Sequence, residues 1–128
     1  MQLKPFEKIG TETMLDLVVD ANVVLKWIPG KNETNVAEAR GLYEMMLGNE
    51  CQVWSPKFLL VEVLNILIKK RKADPEAVST ALTILLKGKI KFWEMEVGQA
   101  KDLEKLMRKY QLTAYDAQYL ILAKQLKC

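Results

Sequence analysis

Three acidic residues stand in surroundings where a carboxylate needs a reason. Asp20 closes the short β-branched run Leu17-Val18-Val19 and is followed by Ala21-Asn22 and an apolar stretch with helical spacing. Glu62 is the single acid in the run from Phe58 to Ile68, and Asp116 lies in Thr113-Ala114-Tyr115-Asp116-Ala117-Gln118-Tyr119-Leu120. Each also has a purely structural reading. Asp20 can cap the following helix. Glu62 can bond Asn65 or Lys69, which share its helix face at i+3 and i+7. Asp116, three residues after Thr113, fits a capping box and suits a helix N-terminus. Read together, all three fall near the carboxyl edge of a parallel sheet, where side chains can converge over a crevice. Clustered carboxylates repel, and a hard divalent cation such as Mg²⁺ or Mn²⁺, which prefers oxygen ligands, relieves the repulsion. The chemistry indicated is metal-assisted phosphodiester hydrolysis.

Composition narrows the alternatives. The chain has 128 residues and no histidine, which removes Ser-His-Asp and Cys-His nucleophile schemes, histidine bases and His-ligated zinc. Two cysteines, Cys51 and Cys128, are too few for a closed zinc site or a disulfide framework, and a single bridge between them stays open. Acid–base or metal work therefore falls to carboxylates, lysines, tyrosines or backbone groups. Half the residues are hydrophobic and 27% are charged, as in a globular domain with a real core. A net charge of +3 permits contact with a phosphate backbone without demanding it. No apolar run is long enough to span a membrane, and no signal-peptide core is visible, so a cytoplasmic protein is expected.

The elements that must position the acids can be read in order. Residues 1–14 form an N-terminal extension and 15–128 a single domain. A strand runs from about Asp16 to Asp20 and a short helix over Val23–Ile28, stopped by Pro29-Gly30. Asn35 caps a helix over Val36–Leu47 that ends at Gly48-Asn49. Cys51–Trp54 is a second strand. Ser55 is read as an N-cap with Pro56 at the first helical position of a long helix reaching Arg71. Asp74-Pro75 starts a helix to about Lys87, Ile90–Met95 is a third strand, Val97–Tyr110 an amphipathic helix, and the last helix runs from Thr113 to about Leu126. Strands alternating with helices indicate an α/β fold with a parallel sheet covered on both faces.

Val18-Val19-Asp20-Ala21-Asn22-Val23-Val24-Leu25-Lys26-Trp27, then Val61-Glu62-Val63-Leu64-Asn65-Ile66-Leu67, then Thr113-Ala114-Tyr115-Asp116-Ala117-Gln118-Tyr119-Leu120 resemble the signatures of PIN-domain ribonucleases, and most closely the VapC-type toxins of toxin–antitoxin pairs. The resemblance covers about residues 15 to 128. It implies a three-layer α/β/α fold and Mg²⁺- or Mn²⁺-dependent endonuclease cleavage of RNA. It also implies a homodimer and a cognate antitoxin that blocks the site. By the same resemblance Asp20, Glu62 and Asp116 are metal ligands, Asn22 and Thr113 are supporting polar residues, and Asn65 holds Glu62 or the Asp20 loop. The family pattern adds a strand and a fourth acid after the last helix. Here the sequence reaches Cys128 at that point, so the expectation is a short sheet without that strand and a site of three acids.

Lys26 and Lys57 are candidate RNA contacts, and the basic run Lys69-Lys70-Arg71-Lys72 could extend such a path, although solvated charges and a complement to the helix dipole explain the run equally. Trp27, Trp54, Phe92 and Trp93 read as packing residues. Two rivals remain. One is a catalytically weak or inactive PIN-like module that binds RNA or a protein. The other is a phosphoacceptor receiver domain, disfavoured because neither Trp54-Ser55-Pro56 nor Trp93-Glu94-Met95 supplies a convincing acid at a central strand end.

Overall fold

A computed structural model describes residues 14–29 and 34–128. The expected N-terminal extension falls outside these residues except for Met14. Three strands, β1 (Leu15–Val18), β2 (Cys51–Pro56) and β3 (Lys91–Trp93), form an all-parallel sheet in the order β1-β2-β3. Six helices connect and cover them: α1 (Ala21–Leu25), α2 (Val36–Leu47), α3 (Leu59–Asn65), α4 (Pro75–Lys87), α5 (Ala100–Tyr110) and α6 (Ala114–Leu126). All strands point the same way, so their carboxyl ends share one edge. The α/β fold read from the sequence is the fold observed.

The central strand shows why both faces are covered. Cys51 and Val53 are buried and belong to a core built with Val24 and Leu25 of α1, Met46 of α2, Leu59 and Val63 of α3, and Ala81 and Leu85 of α4. Gln52 and Trp54 alternate with them and point the other way. Helix α6 packs on β1 and β2 through a separate buried set, Ala117, Ile121, Leu122 and Leu126, and α5 lies against α6. Buried indole and phenol groups have partners: Trp27 Nε1 donates to Ala39 O at 2.7 Å, and Tyr43 Oη donates to Ile84 O at 2.8 Å.

Several local expectations change. Ser55 and Pro56 finish β2 instead of starting a helix. Ser55 is fully buried and donates its hydroxyl to Val19 O at 2.9 Å, and the ladder continues through Lys57 N–H to Trp93 O. A serine with a buried acceptor beside it stays in the strand, and a terminal proline disturbs no central ladder bond. Helix α3 then begins at Leu59 and passes into a π-helical turn, Ile66–Lys70, within what reads as one continuous helix. The 97–110 stretch splits into a 3₁₀ turn, Val97–Gln99, and α5. Asn35 precedes α2 in a left-handed conformation and makes no side-chain cap bond. Asn49, not Gly48, takes the left-handed turn after α2. The third strand is shorter than the expected Ile90–Met95. Cys51 and Cys128 are both free.

Candidate functional site

The end of β1 delivers Asp20. Val19 still pairs with β2, donating its N–H to Trp54 O at 3.0 Å, and its carbonyl accepts the Ser55 hydroxyl. The next residue leaves the sheet. Asp20 is extended and exposed, and its Oδ1 accepts from Val23 N–H at 3.2 Å. It therefore caps α1, the structural role open to it from sequence, while standing at the carboxyl edge. Asp116 arrives differently. Thr113 is the N-cap of α6, its Oγ1 accepting from Asp116 N–H at 3.1 Å, so the threonine does the capping and the aspartate's exposed carboxylate is left over for other work.

Glu62 sits in α3, half-buried between these two. The Tyr119 hydroxyl donates to Glu62 Oε1 at 3.2 Å. Burial holds the Glu62 carboxyl above the usual glutamate range, the charges of Asp116 and Asp20 push it the same way, and the Tyr119 bond opposes them. The charges of Asp20 and Asp116 thus reach Glu62 from a strand end and a helix first turn. Burial, followed by the negative charge of Glu62, drives the Tyr119 hydroxyl well above the ordinary tyrosine range, with a weaker opposing pull from the Ser55 hydroxyl. The tyrosine ring is held by Phe58, whose ring meets it edge-on at a centroid distance of 5.5 Å. The Ser55 hydroxyl thus ties β2 to the end of β1, and the Tyr119 hydroxyl ties α6 to Glu62.

The remaining candidates are less engaged. Asn22 and Asn65 are exposed, and neither side chain bonds a described residue. The support for Glu62 expected of Asn65 comes from Tyr119 instead. Lys57 is exposed and pairs with Glu94 at 3.1 Å, and Lys26 is half-buried beside α1. Glu62 and Lys69 form no ion pair. The sequence pattern gave Tyr119 no role and Ser55 only that of a helix cap. Tyr119 was findable, since it lies three residues beyond Asp116 on the adjoining helical face. Ser55 was not, because its role depends on β1 lying beside β2.

The donor set fits a hard divalent cation in kind: three carboxylates, oxygen only, with no histidine or thiolate. Mutual repulsion at Glu62 is the electrostatic mark of a site that gains from a cation. Among the described residues no group of three or more His, Cys, Asp or Glu side chains is close enough to grip a metal directly. Mg²⁺ does not require such a grip, because it keeps several waters and uses one or two carboxylates.

Residues 17–128 match the PIN domain family. The chain belongs to that family. PIN domains are generally nucleases and typically use divalent metals, so a nuclease-type function follows for this chain. No curated protein matches it significantly. In this PIN domain the Tyr119 hydroxyl of α6 supports Glu62 of α3. No helix among the described residues is long and apolar enough to cross a membrane.

Proposed function

We propose that this PIN domain is a Mg²⁺- or Mn²⁺-dependent endoribonuclease that hydrolyses RNA phosphodiesters at Asp20, Glu62 and Asp116. The observation that carries the reading is the half-buried Glu62 carboxyl, destabilised by its burial and by the charges of both aspartates. When bound, the ion supplies positive charge against the phosphoryl group and acidifies water. Asp20 and Asp116 present their carboxylates from a strand end and a helix first turn. Tyr119 fixes the orientation of Glu62, and the exposed faces of both aspartates leave room for a strand to approach. By its likeness to VapC-type toxins, the protein acts in the cytoplasm as a homodimer under a cognate antitoxin.

That no group of three or more such side chains among the described residues is placed to hold a metal directly favours a second reading, a weakly active or inactive module that binds RNA or protein. One experiment separates the two. Wild type should cut single-stranded RNA in Mn²⁺ and stop when the metal is chelated, and Asp116→Asn should reduce cleavage by roughly 10²–10³-fold, the scale of losing one group that stabilises transition-state charge. Cleavage that survives both treatments ends the proposal. RNA binding without any cutting selects the second reading.

A further inference from the structure

Beyond the acidic edge the molecule holds a second chemically distinct surface, a cavity of about 400 Å³ between α5 and α6. Lys105, Lys109 and Lys124 line it, with Asp102 as its one acid, so positive charge is in excess by two. Gln99 Nε2 donates to Gln125 Oε1 at 3.3 Å across the groove. None of the four charged side chains forms an ion pair or hydrogen bond with a described residue. Lys109 lies over the Tyr110 ring, 5.2 Å from its centroid. Arg108, on the same helix, is instead bonded to Glu104 at 3.0 Å. The three lysines lining the cavity thus converge on one groove with no described carboxylate bonded to any of them.

We infer that this groove binds the phosphate backbone of the RNA strand whose scissile bond lies at the acidic edge, an inference that rests on the nuclease reading above. Two features select a polyphosphate strand. Lys105 and Lys109 are four residues apart on one helix face, about 6 Å along the axis, which suits a ligand of regularly repeated charge. Lysine is also a common point-charge donor to phosphate. Helix α6 links the groove to the proposed cleavage site, carrying Asp116 in its first turn and Lys124 eight residues later, about 12 Å along the axis. One strand lying along α6 meets both. The contacts are to backbone, so they add affinity and register and no base preference.

Binding of fluorescein-labelled single-stranded RNA, read by anisotropy in EDTA so that nothing is cut, tests the groove. The triple variant Lys105→Gln/Lys109→Gln/Lys124→Gln should bind at least about tenfold more weakly, and its plot of log Kd against log salt should be shallower by about 2, the share of three phosphate contacts to a single strand. Arg40→Gln/Lys87→Gln/Lys89→Gln changes net charge equally on and beside α2 and α4, which cover the face of the sheet opposite α6, and should stay close to wild type. Single variants Lys105→Gln and Lys124→Gln should each lower the slope by about 0.7. If the triple variant binds RNA as the charge-matched control does while wild type still cuts RNA in Mn²⁺, the groove inference falls and the nuclease reading stands. Loss of poly-glutamate binding with RNA binding intact would give the groove to an acidic protein segment and overturn the inference. Wild type that neither binds nor cuts RNA would remove the nuclease reading and this inference with it.

Discussion

The two ends of α6 serve opposite charges, and they are built by different means. At its N-terminal end Asp116 joins Glu62 and Asp20 over a frame of fixed groups: a threonine cap, a tyrosine held by a phenylalanine, and a buried serine tied to the neighbouring strand. At its other end Lys124 shares an open groove with Lys105 and Lys109, long side chains that no described carboxylate restrains. Chemistry on a phosphodiester needs oxygen atoms held in place before substrate arrives, because reorganisation during reaction raises the barrier. Holding a polyanion needs only charge near the strand, and mobile ammonium groups supply that. Rigid support therefore suits the end proposed to break bonds, and its absence suits the end proposed only to grip.

Disrupting what both ends share should have the largest effect. Leu122 is fully buried beneath α6, and Leu122→Ala should cost about 2–5 kcal/mol in denaturant unfolding, weakening metal and RNA binding together. Tyr119→Phe sharpens the contrast. It keeps the ring against Phe58 and removes the hydroxyl from Glu62, so Mn²⁺ affinity measured by calorimetry should fall about 10–100-fold, the usual effect of losing a support behind a ligand. RNA binding in EDTA should be unchanged, since the groove lies elsewhere. Thr113→Ala removes the α6 cap and should cost about 1 kcal/mol of stability, with a modest loss of cleavage as Asp116 loosens.

The smallest effect is a change of sign. The Glu62 carboxyl is raised in the folded state, so between its unfolded and folded values the native protein holds more protons, and stability declines as pH rises through that window. In metal-free buffer at neutral pH, Glu62→Gln should therefore melt slightly above wild type. The gap should close below about pH 4, where the carboxyl is protonated in both states. A variant that melts lower at neutral pH would show that Glu62 is stabilised by its setting and would break the contrast between a strained acidic edge and a relaxed basic groove.

Much of the fold was legible because it depends on local patterns. The β-branched run before Asp20, the Asp74-Pro75 start of α4 and the Thr113 start of α6 each carry their own stop and start signals, and each element appears where its signals lie. Ser55-Pro56 misled because the same dipeptide suits a helix start and a buried strand end. The outcome turned on an acceptor, Val19 O, that is 36 positions away. The α3 segment failed in a similar way, since nothing in Ile66-Leu67-Ile68 announces a π-helical turn.

From the residues alone came the acids themselves, the absence of any histidine to compete with them, and the alternation of strand and helix that puts their positions near one edge. Those follow from composition and from periods spanning a few residues. Folding alone decided that Tyr119 and not Asn65 holds Glu62, that Asp20 caps a helix while facing the other acids, and that three lysines from two helices line one groove. Each of these depends on atoms far apart in the chain, whose meeting is set by how helices seat on the sheet and leaves no trace in local spacing.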